Sequence, residues 1–397
     1  MQQPGTVMVR KKYRPSSAYI ENNKVQLVRG GKDFFTMLSQ LINQATTSIH
    51  FHIYIFDEDE TGRRVANDLM AAAKRGVGVY LLVDGFASRS LSAAFINELR
   101  TAGVYFRFFE PLLKSEHFYF GRRLHHKAIV VDGWYSLVGG INISNRYNDI
   151  DGEPAWLDWA LYTEGPASFE LFKVCLNGWV RPGSRISKRK LFHEPLASKP
   201  TGHTPVRISR NDWVKNKNQI SGSYIEMLKK AESHVVIMSS YFLPGRIIRH
   251  QLSRAAKRGI DISVIVAEKS DIRLAKNAER YIYRWLLKRN IKLYEYTRSV
   301  LHGKMATRDN KWVTIGSYNV NDISAYASVE LNLDVNDPQF AQVVQKHMET
   351  IIANDCNQVT EAGFLHQYNF LQRSIQYLSY LLVRVLFYLF TFYFKQR

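Results

Sequence analysis

The spacing His-x-Lys-x-x-x-x-Asp occurs twice in this chain, and no other feature restricts its fold as much. The first copy is His125, Lys127 and Asp132; the second is His302, Lys304 and Asp309. Each runs on to a small-residue pair and an asparagine, Gly139-Gly140-Ile141-Asn142 and Gly316-Ser317-Tyr318-Asn319. The register is 177 residues throughout: 302 against 125, 304 against 127, 309 against 132, 319 against 142. A duplication of this kind takes precedence over any assignment of individual elements.

The repeat extends beyond the motif. Ala-Ala-Ala-Lys-Arg-Gly at 71–76 and Arg-Ala-Ala-Lys-Arg-Gly at 254–259 each read as a helix end closed by glycine, followed by a buried strand. Strand-like segments precede them at 48–56 and 235–242, and follow at 103–108 and 290–295. The motif strands, 124–132 and 301–309, come next. Strands alternating with helices predict largely parallel sheets covered by helices. The expected fold class is α/β: two similar α/β/α halves about a pseudo-two-fold axis, plus an amphipathic C-terminal helix. The expected divisions are a basic N-terminal segment 1–24, a first half 25–180, a linker 181–205, a second half 206–355 and a C-terminal segment 356–397. The linker is rich in Pro, Gly, Ser, Lys and Arg.

With 397 residues, 46% of them hydrophobic, the chain can bury one or two substantial cores. Lysine and arginine number 54 against 35 acidic residues, a net charge of +19, so an anionic partner is expected: nucleic acid or acidic lipid. Cys175 and Cys356 are too few for a disulfide framework and lack metal-ligand spacing. The N-terminus shows no apolar stretch of a secretory signal.

Residues 375–394 approach the length of a membrane span, but Arg384 falls in the middle. A central arginine costs about 2.5–3.5 kcal/mol on the insertion scale. Arg373, Tyr377, Tyr380, Arg384, Tyr388, Thr391 and Lys395 recur at steps of three or four, a polar stripe on an otherwise apolar helix. Such a helix suits the plane of a bilayer interface. Packing onto the protein body is the alternative. The segment 114–123, which mixes aromatics with Arg122 and Arg123, and the run Arg10-Lys11-Lys12-Tyr13-Arg14 are further candidates for lipid headgroups.

The paired motifs point to phosphoryl chemistry. A lysine two residues from each histidine opposes metal binding, because an ammonium repels a cation. On a strand, residues i and i+2 face the same side, so each histidine is expected to project with its lysine. Two lysines and the amides of Asn142 and Asn319 then donate to phosphate oxygens. One imidazole attacks phosphorus; the other protonates the departing oxygen and later deprotonates the acceptor alcohol. No cofactor and no metal is required. A histidine nucleophile needs its second nitrogen held. Asp158 and Glu330 open similar strand-like segments, each with proline eight residues on, and are expected to orient the histidines; Glu153 is the weaker alternative to Asp158. Which carboxylate serves which histidine stays open. Asp132 and Asp309 complete the motif and count among the catalytic candidates, although their place at a strand end favours tying the motif to its turn.

These residues resemble the phospholipase D superfamily with both His-Lys-Asp motifs intact, over roughly Val25 to Asp355. Within it the chain is most similar to bacterial cardiolipin synthases, particularly the B-type that lacks two N-terminal membrane helices. The resemblance rests on Arg-Leu-His-His-Lys-Ala-Ile-Val-Val-Asp, Gly-Gly-Ile-Asn-Ile-Ser, Tyr-Phe-Leu-Pro-Gly and Val300-Leu301-His302-Gly303-Lys304. It implies transfer of a phosphatidyl group from one phosphatidylglycerol to another with release of glycerol. It implies His125 as nucleophile and His302 as general acid. The expected partners are anionic phospholipid and the bacterial inner membrane, bound peripherally or monotopically on its cytoplasmic face; the apolar tail disfavours nucleic acid. The stretch 324–328 departs from the family pattern before Glu330, which leaves the acceptor alcohol open. A hydrolytic phospholipase D or a phosphodiesterase acting on nucleic acid would use the same site.

Overall fold

The computed structural model describes residues 18–110, 122–150, 152–180 and 202–395, with backbone alone at 365–367 and 388–395. The run 10–14, residues 114–121 and most of the linker lie outside them.

The first half contributes β1 (Ile20–Arg29), β2 (Ser48–Ile53), β3 (Gly78–Asp84), β4 (Tyr105–Phe109), β5 (Arg123–Leu124), β6 (Lys127–Val131), β7 (Tyr135–Gly139) and β8 (Trp159–Glu164). Across its sheet the order is β4-β3-β2-β6-β7-β8-β1. The second half contributes β9 (Thr204–Asp212), β10 (Lys217–Asn218), β11 (His234–Ser239), β12 (Asp261–Ala267), β13 (Lys292–Tyr296), β14 (Lys304–Arg308), β15 (Trp312–Gly316), β16 (Ser328–Val335) and β17 (Cys356–Val359). Its order, β17-β13-β12-β11-β14-β15-β16-β9, repeats the first with one strand added at the edge. The two similar halves are thus present.

The sheets are mixed, not largely parallel as the alternation predicted. Only β2-β3-β4 and β11-β12-β13 pair in parallel; every other neighbour within these sheets is antiparallel. Parallel pairs need a helical crossover, and helices Glu60–Lys74, Ala93–Thr101, Arg246–Lys257 and Arg273–Leu287 supply it. The motif strands β6 and β14 return instead through tight hairpins into β7 and β15.

Local signals explain the helices. Asp59 caps Glu60–Lys74 by accepting from Gly62 N–H, and the chain leaves that helix through Gly76 at φ 92°. Gly259, at φ 83°, ends the matching helix Arg246–Lys257. Strand alternation then divides the core. Ile49, Phe51, Ile53, Val79, Leu81 and Val83 face the outer helices of the first half. Ala128, Val130, Val138 and Leu161 face the other way and join Val236, Met238, Ile265, Met305 and Leu331 of the second half in one shared core. The halves are therefore clasped sheet face to sheet face.

The C-terminal helix Phe370–Lys395 lies against helix Arg273–Leu287. It docks through Gln376, Ser379, Tyr380 and Val383; Tyr281 meets the rings of Tyr377 and Tyr380, and Arg249 donates to the Tyr380 hydroxyl. The expected polar stripe is thus split. Tyr380 is at the protein contact, while Arg373 and Arg384 stand exposed at its rim. The free surface is the apolar one: Leu371, Ile375, Leu378, Leu382 and Val385 are all exposed. Among the described residues no helix is long and apolar enough to cross a membrane.

Candidate active site

Both motif histidines sit just before a strand rather than within one. His125 lies between β5 and β6, and His302 precedes β14. The same-face argument for His125 with Lys127, and for His302 with Lys304, therefore does not apply. Each lysine instead folds back: Lys127 Nζ donates to the His125 carbonyl and Lys304 Nζ to the His302 carbonyl, and Lys304 Nζ lies 3.0 Å from His302 Nδ1.

The motifs are held across the interface. His125 N–H donates to Val329 O at 3.0 Å, and β5 pairs with the start of β16. His302 N–H donates to Leu157 O at 2.8 Å, and Leu157 N–H to Val300 O at 2.8 Å. Each motif is thus bound to the carboxylate-bearing strand of the other half. The sheet register makes those carboxylates equivalent: Ala160 opposes Gly139 and Asn332 opposes Gly316, and Asp158 and Glu330 each stand two residues earlier.

The pairing is crossed. Glu330 of the second half lies 2.9 Å from Nδ1 of His125 in the first. Asp158 of the first half lies 2.6 Å from Nδ1 of His302 in the second. Both carboxylates are fully buried. Glu330 also accepts from the Ser317 hydroxyl. Asp158 leaves no such room: a Cβ on Gly140, the counterpart of Ser317, would lie 2.4 Å from its carboxylate. The small-residue pair of the motif thus seats the carboxylate. Gly303 is glycine for a related reason, since a Cβ there would meet the Trp159 ring at 2.6 Å. Glu153, the alternative to Asp158, forms a bridge with Ile150, and it is Asp158 that meets a motif histidine.

Asp132 and Asp309 are not at this site. They occupy the hairpin turns at the far ends of β6 and β14, in left-handed conformation at φ 51° and 52°. Asp132 accepts from the backbone N–H groups of Thr46, Thr47 and Ser48; Asp309 accepts from those of Glu232, Ser233 and His234. A five-residue strand, about 16 Å, separates each from its histidine. Their place among the catalytic candidates is corrected: they pin the hairpin to the loop entering β2 or β11. The asparagines are partly committed. Asn142 Oδ1 accepts from Ile55 N–H and Asn319 Oδ1 from the Ser240 hydroxyl, which leaves their Nδ2 groups as the donors.

Burial controls the charges. His302 is 9% exposed and His125 keeps 17% of its side chain accessible. Burial lowers both histidines below the usual imidazole range, His302 the further. Burial also brings Lys127 down to about 7 and Lys304 to about 8, and raises Asp158 to about 7. The resting imidazoles are therefore neutral at pH 7, and the lysine ammoniums are poised to lose their protons between about pH 7 and 8. In the free enzyme kcat/KM should fall as pH rises through about 7 to 8, because neutral amines no longer balance phosphate charge. A pH–rate profile flat up to pH 10 would show that these lysines are not needed as cations.

Tyr147 and Tyr54 also belong to the site, and motif reasoning missed them; Ser317 stood in the motif only as a small residue, without its hydrogen bond to Glu330. Tyr54 meets the His125 ring at 4.8 Å and Lys127 Nζ at 4.9 Å. The only signal was asymmetry: in the 177-residue register Tyr147 faces Ser324, so the copies differ where the motif ends.

Two face-to-face α/β halves that share a crossed pair of His–carboxylate dyads define the class. The family described as "Cardiolipin synthase, PLD-like domain" matches residues 38–160 and 224–352. Cardiolipin synthase B of Salmonella typhimurium is 35% identical over 349 residues, 86% of this chain and 83% of that protein. Cardiolipin synthase B of Escherichia coli K12 is 33% identical over 348 residues, with the same coverage. A solved phosphatidylserine synthase of Haemophilus influenzae has the same fold at TM-score 0.70 and 14% identity, covering 91% of this chain and 93% of that one. The chain belongs to the phospholipase D-like cardiolipin synthase family.

Proposed function

We propose that the protein is a cardiolipin synthase that joins two phosphatidylglycerol molecules and releases glycerol. The observation that carries the reading is the crossed support of two imidazoles by Glu330 and Asp158 at one interface. His125, with Nδ1 on Glu330, attacks phosphorus through Nε2. His302, neutral at rest, takes a proton from solvent at Nε2 as the phosphate charge enters beside it; the bond from phosphorus to the glycerol headgroup oxygen then breaks, and His302 gives that oxygen the proton. His302 then takes the hydroxyl proton of a second phosphatidylglycerol, whose oxygen displaces the histidine. Lys127 and Lys304 balance phosphate charge, and the Nδ2 groups of Asn142 and Asn319 are the proposed phosphate donors. No step uses a cofactor. Labelled phosphatidylglycerol vesicles test this. Cardiolipin plus glycerol is the expected product; phosphatidic acid would mean that water is the acceptor, and no turnover would reject both.

We further propose peripheral attachment to the cytoplasmic face of the bacterial inner membrane through the exposed side of helix Phe370–Lys395. Its apolar residues are flanked by exposed Arg273, Arg284, Arg373 and Arg384, a combination that suits an anionic bilayer. Truncating this helix would uncover helix Arg273–Leu287, so point changes are the sharper test. Leu378→Glu with Leu382→Glu alters only exposed positions, 62% and 48% accessible, and should leave the fold intact. Losing these two leucines from the bilayer-facing side should weaken sedimentation with phosphatidylglycerol vesicles by about two orders of magnitude. Unchanged sedimentation would remove the helix as the anchor.

A further inference from the structure

The phenol that meets His302 belongs to neither motif. Tyr147 ends the short 3-10 turn Asn145–Tyr147, is 1% exposed, and meets the His302 ring edge to face at 5.1 Å. Its oxygen is 3.4 Å from His302 Nε2 and 2.9 Å from Asn142 Nδ2. The Asn142 amide fixes one hydrogen-bond direction. Ile55 N–H donates to Asn142 Oδ1, so the amide nitrogen faces Tyr147 and donates to the phenol oxygen. Asp158, at 2.6 Å, is the stronger acceptor for the Nδ1 proton of His302, while the Lys304 ammonium, 3.0 Å from that nitrogen, is held on the His302 carbonyl; in this tautomer Nε2 carries the lone pair and the phenol proton is directed at it. Among the described residues no hydroxyl is hydrogen-bonded to Nε2 of His125. Tyr54 meets that ring edge on instead.

We propose that Tyr147 is the positioning residue that makes the two histidines unequal, by donating to Nε2 of His302 and occupying the lone pair that would otherwise attack phosphorus. This rests on the phosphatidyl-transfer reading above. The neutral imidazole of His302 is engaged in the resting site, while Nε2 of His125 stays available. When substrate enters, the phosphate charge draws a proton from solvent onto Nε2 of His302, which exchanges its phenol contact for the glycerol oxygen and acts only in proton transfer. The division of labour is thus set by Asn142 and Tyr147, and position 324, a serine, does not repeat it in the second half.

The test is Tyr147→Phe in the full chain, with the histidines followed by nitrogen-15 NMR in the absence of substrate. A donor to the neutral form lowers a histidine pKa, so its removal should raise that of His302 by about half to one unit and leave His125 unmoved. The other groups facing His302 are Asp158, Lys304, Lys127, His125 and Asp271, and none is altered. The limb of the kcat/KM profile that belongs to His302 should move by the same amount. If the Phe variant does not fold, a fluorotyrosine at 147 keeps the contact and strengthens the donor, so the shift should reverse in sign. An unmoved His302, or a resting tautomer protonated at Nε2, overturns the proposal. The NMR readout needs no turnover. A shifted His302 in a protein that does not make cardiolipin would therefore uphold the contact and reject the function.

Discussion

His125→Ala should abolish cardiolipin formation, lowering kcat by on the order of 10⁴ to 10⁶, the loss typical when a nucleophile acting as part of a unit is removed. His302→Ala should be about as severe on phosphatidylglycerol, because glycerol leaves poorly without a proton. The two losses differ in kind, and the leaving group separates them. From a phosphodiester of p-nitrophenol, p-nitrophenolate departs as a stable anion and needs no acid. With that substrate His302→Ala should still give a burst of p-nitrophenol and a stable phosphorylated enzyme, whereas His125→Ala should give neither. A burst from the His125 variant would reverse the roles, and full activity in either variant would discard the mechanism.

That experiment matters because the duplication hides the asymmetry. The 177-residue register made two equal motif copies legible, and with them the two similar α/β halves. Three things were not legible, each for a physical reason. The first is which carboxylate serves which imidazole. It depends on the placement of one half on the other, and a one-dimensional repeat is the same whether support is local or crossed. The second is the fate of Asp132 and Asp309. Spacing puts them in the motif, but the strand carries them to its opposite end, where backbone N–H groups need an acceptor. The third is the free side of the C-terminal helix. Its polar stripe resembled a solvent face, yet Tyr380 and Ser379 meet a neighbouring helix and the leucines remain outside. Amphipathic periodicity defines two faces and does not say which one the protein covers.

The crossed geometry gives the second large effect. Asp158→Asn and Glu330→Gln should each lower phosphatidylglycerol turnover by about 10² to 10⁴, because an amide can hold the imidazole in the wrong tautomer. Sequence proximity would link each carboxylate to the motif of its own half, Asp158 to His125 and Glu330 to His302. The structure makes the opposite assignment. With the p-nitrophenyl substrate, Asp158→Asn should therefore keep its burst, as His302→Ala does, while Glu330→Gln should lose it with His125→Ala. Coupling should follow the same lines. Asp158→Asn added to His302→Ala should cost almost nothing more, since the carboxylate acts through a ring that is already gone. Added to a partly active change at the other dyad, it should cost nearly its full amount. If Asp158→Asn abolishes the burst and couples to His125 instead, each half supports its own histidine and the crossed pairing does not govern catalysis.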